Sequence, residues 1–324
     1  MKQLHPFNVR TGMRFMTPPL REGLEEFQSR LGKGLAGLTV YGMPDTGKST
    51  MMSLLYERIT ESKKAVVYRT EMASSSTGER QLMRELAGSQ QPFPSLTPKE
   101  AFVRGAQVRC EQLETPRVII LIDEAQMLTL QHLELLRGVF ASLTAAGLAP
   151  FAGLFAQPEI ARRRWELKHA GDVSLVNRFL GRLHQFRGLR RNEFEEVLSL
   201  FDTTRWPADG PTYTQQFGRA FWDRGGRLAQ LAHSFAGEFE ALSLEWGRSP
   251  DDLPVSYLNE AVHTFLAGVS TQAGSTAEIN QLVHTAVRTS AAATGFEFMA
   301  GVNLRTDFAD EAGSLKKPKR ERIR

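Results

Sequence analysis

Gly42-Met43-Pro44-Asp45-Thr46-Gly47-Lys48-Ser49 decides the fold. The stretch fits G-x-x-x-x-G-K-[ST]. An apolar, β-prone run, Leu38–Tyr41, precedes it, and a segment of helical composition, Lys48–Ile59, follows it. A strand, a glycine-bearing loop and a helix start in that order predict a phosphate-binding loop. Glycines let the backbone curl so that its N–H groups converge on phosphate oxygens, and the helix N-terminus adds its own dipole. Lys48 is expected to reach the β- and γ-phosphates and Ser49 to ligate Mg²⁺. The predicted nucleotide-binding residues are Gly42, Met43, Pro44, Asp45, Thr46, Gly47, Lys48, Ser49 and Thr50. The plain alternative is a strand–helix turn that binds nothing.

A second segment stands about 75 residues beyond Lys48. Val118-Ile119-Ile120-Leu121-Ile122 is a continuous apolar run, the pattern of a strand buried on both faces, and it ends in Asp123-Glu124. Asp123 therefore falls at the carboxyl edge of a core strand, where open α/β sheets bind ligands. It is expected to hold Mg²⁺, and Glu124 to act as general base toward water. Together the two segments predict ATP and Mg²⁺ as cofactors, and ATP hydrolysis as the chemistry. Taken alone, the acidic pair would read as a solvated strand end.

Outward from these segments, strand and helix signals alternate to about residue 190. Further strands are predicted at Ala65–Met72, Ala149–Phe155 and Leu183–Leu189, and helices at Gly23–Leu31, Thr77–Leu86 and Leu130–Ala146. Residues 1–22 look irregular, with Pro6, Pro18 and Pro19 breaking any long helix. A Pro-rich link is expected at Gln91–Pro98. This is the pattern of a parallel sheet flanked by helices. After Arg191 only helices are predicted, at Asn192–Phe201, Thr212–Trp222, Arg227–Trp246, Pro254–Ala267 and Glu278–Thr294. The expected division is 1–22 as an N-terminal extension, 23–190 as the nucleotide-binding α/β core, 191–270 as a small helical lid, and 271–324 as a terminal helix with a basic tail.

Three more residues are candidates for the site. Gln157 follows a predicted core strand and would hydrogen-bond the γ-phosphate or the attacking water; otherwise it is a polar loop start. Arg178 is the favoured arginine finger, offering charge stabilisation from a neighbouring subunit. It shares a face with Arg182 if that segment is helical, and a solvated basic face is the alternative. Arg227, after Gly225-Gly226, is expected in the first turn of a helix, a poor place for a cation unless an anion is close. A nucleotide phosphate would be such an anion; an exposed arginine is the alternative.

Composition narrows the class. The chain has 324 residues, 41 % of them hydrophobic, and a net charge of +4. Its one cysteine, Cys110, excludes an internal disulfide or a Cys-based zinc site. No apolar run approaches the ~20 residues that span a bilayer, and the N-terminus lacks a signal-peptide core, so a cytoplasmic protein is expected. The tail Ser314–Arg324 carries six Lys or Arg against one Glu, leaving the body nearly neutral. That tail is either a solvated end or a contact for nucleic acid or an acidic partner. Base-reading motifs are not evident, so any DNA contact would be to phosphates, with Arg162–Arg164 as one source and a solvated helix face as its alternative.

The segments YGMPDTGKST, AVVYRTEMASSSTGERQLMRELAG, RVIILIDEAQML, FAQPEIARRRWEL, VNRFLGRLHQF and GGRLAQLAHSF together resemble AAA+ ATPases, and more closely the TnsC/TniB family of bacterial DNA-transposition regulators. The resemblance covers about residues 20–240. It implies an AAA+ P-loop core with a helical lid, and ATP held between subunits of a ring or helical homo-oligomer on double-stranded DNA. It implies partners as well: a TniQ/TnsD-like target selector, a DDE transposase of the TnsB/TniA kind, and a TnsA-like protein. Lys48, Ser49, Asp123 and Glu124 carry over from the family pattern, with Gln157, Arg178 and Arg227 as sensor-one, finger and sensor-two candidates. The pattern commonly has glycine where this chain has Asp45; Asp tolerates left-handed backbone less well and brings negative charge near the phosphates. Two other functions stay open, an ExeA/GspA-like secretion ATPase and a replication-loader ATPase.

Overall fold

A computed structural model of the protein describes residues 15–87, 95–169, 173–245, 253–269 and 275–293. Residues 91–94 of the Pro-rich link and the basic tail lie outside them. The core of the fold is a five-stranded sheet of β1 (Gly37–Tyr41), β2 (Val66–Glu71), β3 (Arg117–Asp123), β4 (Ala149–Ala156) and β5 (Leu183–Gln185). All pairings are parallel, and the order across the sheet is β2-β3-β4-β1-β5.

β3 shows why its sequence is apolar without alternation. Val118, Ile120 and Ile122 enter one buried cluster, and Ile119 and Leu121 enter the cluster on the opposite face. All five are fully buried, each contributing about 1.5–3 kcal/mol of apolar transfer. One face is covered by α1 (Pro18–Gly32) and α2 (Lys48–Ser62), through Leu20, Leu24, Phe27, Met51 and Leu55. The other is covered by α3 (Glu79–Ala87), α4 (Pro98–Gln112), α5 (Leu130–Ala145), α6 (Glu159–His169) and α7 (Val173–Phe179). Cys110 is buried in this second cluster.

The helical unit consists of α8 (Phe194–Thr203), α9 (Tyr213–Phe217), α10 (Arg219–Asp223), α11 (Ala232–Glu245), α12 (Val255–Val269) and α13 (Thr276–Ala293). Its cluster is built on Phe194, Phe201, Phe235, Phe239, Tyr257 and Phe265. A buried carboxylate organises it. Asp202 Oδ1 accepts from the Thr214 hydroxyl at 2.6 Å and from Leu228 N at 3.1 Å, and its Oδ2 accepts from Ala229 N at 3.0 Å. Those two amides open the short 3-10 turn Leu228–Leu231 ahead of α11, so Asp202 supplies the acceptor that this helix start lacks locally.

Arg187 joins core to helices. Its guanidinium donates to both carboxylate oxygens of Glu22, on α1, at 2.5 and 3.0 Å, and to both of Glu193, at the entry to α8, at 2.5 and 2.7 Å. The hydrogen bonds to Glu193, then those to Glu22, outweigh burial and raise the guanidinium pKa above its ordinary value. Arg21 and Glu196 add an exposed pair across the same junction.

Several boundaries differ from expectation. α1 starts at Pro18, not Gly23, because Pro18 and Pro19 occupy the first helical turn, where a missing N–H costs nothing. The expected extension 1–22 thus includes a turn of a core helix. α7 ends at Phe179, so Arg182 lies beyond it and shares no helix face with Arg178. Thr212–Trp222 is two short helices meeting at Gly218. α13 packs Val283, Ala286 and Val287 into the same cluster as α11 and α12, so it is continuous with the helical unit.

Candidate nucleotide-binding site

The carboxyl ends of β1, β4 and β3 lie side by side, because β4 is inserted between the other two. Register fixes the detail. Tyr41 is opposite Ala156, Ile122 is opposite Leu154, and Gly42 N donates to Ala156 O at 3.2 Å. One sheet edge therefore carries the loop Gly42–Ser49, the pair Asp123-Glu124 and Gln157. Segments about 75 and 110 residues apart meet at that edge.

The loop needs its glycines. A Cβ on Gly42 would stand 2.2 Å from the Phe186 carbonyl oxygen, and Gly47 holds φ at +111° as the residue before α2. No side chain caps the N-terminus of α2, so its first-turn amides have no side-chain acceptor, the arrangement in which a helix start takes an anion. Lys48 is buried, and its Nζ donates to Gly42 O at 2.8 Å and Met43 O at 2.6 Å. The Thr46 hydroxyl closes the loop onto Met43 O at 2.8 Å. Thr50 lies in the first turn of α2.

Ser49 Oγ donates to Asp123 Oδ2 at 2.9 Å. Hydroxyl and carboxylate form the oxygen pair that suits Mg²⁺, a hard cation that brings waters and phosphate oxygens as its remaining ligands. Ser49 and Asp123 offer two oxygen ligands to such a cation; among the described residues no three His, Cys, Asp or Glu side chains cluster as a metal cage. Electrostatics agree with that donor set. Burial pushes the Asp123 carboxyl above its ordinary range, against the Ser49 hydroxyl and the Glu124 N–H, while the neighbouring Glu124 charge adds to the rise and Lys48 opposes it. Burial pushes the Lys48 ammonium down, opposed by Asp123, Glu124, Asp45 and Glu159. The site concentrates acidic charge that a divalent cation would neutralise.

Four described non-glycine residues have left-handed backbone: Asp45, Lys63, Glu114 and Glu124. Lys63 and Glu114 follow the ends of α2 and α4, where that conformation is ordinary. Asp45, at φ 61°, and Glu124, at φ 52°, instead sit in the two motifs. Such strain persists where the surroundings impose it, and it gathers at functional sites. The expected departure at Asp45 is thus a real conformational demand, and its side chain is exposed.

Gln157 follows β4 at the same sheet edge as the loop, and its side chain meets the Glu124 carboxylate. Gln157 Nε2 donates to Glu124 Oε2 at 3.2 Å. Sequence reasoning missed Gln126, whose Nε2 donates to the same Glu124 oxygen and whose Oε1 accepts from Gln157 N at 2.9 Å. A glutamine three residues past the aspartate was the only sign of it.

The arginines lie elsewhere. Arg178 is on the exposed face of α7 and forms no hydrogen bond or ion pair with another described residue. Arg227 precedes its helix start instead of sitting in the first turn. Its guanidinium lies 3.3 Å from the centroid of the Trp222 ring and donates to the carbonyls of Gly226, at 2.7 Å, and Trp222, at 3.3 Å. Of Arg162–Arg164, the first two pair with Glu166 and the third donates through Nη2 to Gly181 O while its Nε is buried without a partner among the described residues.

The AAA domain family model matches residues 33–163. That span holds the loop, Asp123-Glu124, Gln126 and Gln157, and leaves out Arg178 and Arg227. No curated protein sequence matches the chain. Among solved structures, Drosophila ORC bound to DNA aligns with a TM-score of 0.54 and 14 % identity, covering 85 % of this chain and 67 % of that one. The Walker-type ATPase of Pyrococcus abyssi aligns with a TM-score of 0.50 and 14 % identity, covering 95 % and 81 %. At such identities the likeness concerns architecture: an AAA+ P-loop core of parallel strands flanked by helices, followed by helices alone.

Proposed function

We propose that this chain is an Mg²⁺-dependent ATPase that assembles as a ring or helix on double-stranded DNA and regulates transposition, linking a TniQ/TnsD-like target selector to a DDE transposase. The observation that carries self-assembly is the division of the site. Loop, acids and glutamines share one sheet edge, whereas Arg178 stands exposed and unpaired on α7, and no arginine bonds to Lys48, Ser49, Asp123, Glu124 or Gln157 among the described residues. A second copy would supply the missing cation. The transposition role rests on the sequence resemblance, above all the stretch from β2 into α3.

In this mechanism the loop amides and Lys48 bind and orient the triphosphate. Glu124 takes a proton from water as the water oxygen bonds to the γ-phosphorus and the bond to the ADP oxygen breaks. Mg²⁺, held by Ser49 and Asp123, would neutralise charge on the phosphate oxygens. Electron microscopy of the protein with duplex DNA tests the proposal. Assemblies are expected with ATP or a non-hydrolysable analogue, none with ADP or in Lys48→Ala, and persistent ones in Glu124→Gln, with turnover reduced at least ~100-fold. Failure of DNA and nucleotide to promote assembly in any combination would refute it.

The likeness to ORC bound to DNA favours a second function, a replication-initiator or loader ATPase. Co-purification separates the two: a transposase and target selector in one case, a replicative helicase in the other.

A further inference from the structure

We infer that Gln126 is a positioning residue for hydrolysis, fixing the Glu124 carboxylate and tying it to the start of the segment that follows β4. This rests on Glu124 being the general base.

Both ends of the Gln126 amide are engaged. The Gln157 backbone N–H needs an acceptor, so the Gln126 atom 2.9 Å from it is the oxygen. The other end is then the NH₂ group, and it donates to Glu124 Oε2. The same oxygen receives the Gln157 side-chain amide at 3.2 Å. A closed ring of three residues results, spanning the end of β3 and the end of β4. Glu124 itself precedes the 3-10 turn Ala125–Met127, which carries Gln126, and does so in left-handed backbone. Two donors on Oε2 leave Oε1 as the oxygen for the attacking water. Without Gln126, Glu124 keeps one long amide contact and regains side-chain freedom, and misplacing a catalytic group by about 1 Å can cost on the order of 100-fold in rate.

Gln126 also links the segments that leave two neighbouring strands. Its turn belongs to β3, while Gln157 leads directly into α6. Displacement of α6 would therefore reach the general base through two amides, that of Gln126 and the Gln157 side chain.

The test is steady-state ATPase kinetics of the full-length protein in its DNA-bound assembly, with nucleotide affinity and thermal midpoint measured for every variant. Gln126→Leu and Gln126→Met remove both hydrogen bonds and keep the bulk. Each is expected to lower kcat roughly 10-fold, with KM, nucleotide affinity and midpoint close to those of the parent. Added to Glu124→Gln, either should cause no further loss, because a positioning residue has nothing left to position. If both variants turn over within about twofold of the parent while Glu124→Gln is inactive, Gln126 has no positioning role. A fall in affinity and midpoint that tracks the loss of kcat would overturn it in favour of a structural role. Full activity in Glu124→Gln would overturn the base assignment itself, and this inference with it.

Discussion

Replacing Asp45 separates two effects that this residue combines. Its φ of 61° is left-handed and its side chain is exposed. That conformation costs an ordinary L-residue about 1–2 kcal/mol, less for Asp and nothing for Gly. Glycine, however, returns about 0.5–1 kcal/mol through the freer unfolded chain. Asp45→Gly should therefore match the parent within about 0.5 kcal/mol, while Asp45→Ala should fall about 1 kcal/mol below it. In a chain of this size that separates their melting midpoints by about 2 °C. Charge is the second effect. A carboxylate about 8 Å from a phosphate in solvent-like surroundings repels it by ~0.5 kcal/mol per unit charge, so a polyphosphate feels on the order of 1 kcal/mol. Asp45→Asn and Asp45→Gly should both bind ATP about fivefold more tightly at low salt, with the gain shrinking as salt rises. Differential scanning fluorimetry and titration with a fluorescent ATP analogue read the two effects independently. Equal midpoints for the Gly and Ala variants would refute the conformational demand. Unchanged affinity in Asp45→Asn at every salt concentration would refute the electrostatic one.

Two further outcomes follow from the junction and the helical unit. Glu193 is half-buried, which alone would raise its pKa, but hydrogen bonds from Arg187 and from Arg190 N hold it below its ordinary value of 4.5. The unfolded chain then takes up the proton at higher pH than the folded one. The stability this carboxylate contributes is whole above 4.5 and is lost as pH falls through the lower folded pKa. Thermal midpoints across the acid range should show that loss in the parent and a flatter acid limb, from a lower neutral plateau, in Glu193→Gln. Asp202→Ala strips the acceptor from the Thr214 hydroxyl and from Leu228 and Ala229 N–H, so it should destabilise the helical unit by about 2–4 kcal/mol in chemical denaturation. An effect below 1 kcal/mol would mean that water replaces the carboxylate.

The sheet was legible wherever burial on both faces removed every polar residue, as in Val118–Ile122. It was hardest to read at β5, whose three residues pair on one side only with β1. Helix starts misled where chemistry has two meanings. Proline breaks a helix in its interior and opens one in its first turn, and only tertiary packing of Leu20, Leu24 and Phe27 shows which applies at Pro18. In the candidate site, Gly42 to Ser49 and Asp123-Glu124 are local patterns, so spacing sufficed to find them. Gln126 is not such a pattern. Its importance lies in a contact with residue 157 across two strand ends, and a single polar side chain in a short turn leaves no periodic trace. Arg178 and Arg182 suggested a common helix face because four-residue spacing implies one only while the helix lasts, and α7 stops between them.

The strand order also bears on when, during synthesis, the proposed nucleotide site is complete. β1 and β3 are not paired, since β4 lies between them. Both motifs have been translated well before residues 149–156, yet until that strand enters the sheet they stand on disconnected edges. A strand's width, ~4.8 Å on either side, is missing between them. Ligand linkage stabilises only a chain that can already bind. A polypeptide stopped short of β4 would hold every residue of both motifs without the strand that sets them side by side. Under the proposed function, nucleotide would stabilise the completed sheet and not the steps that precede it.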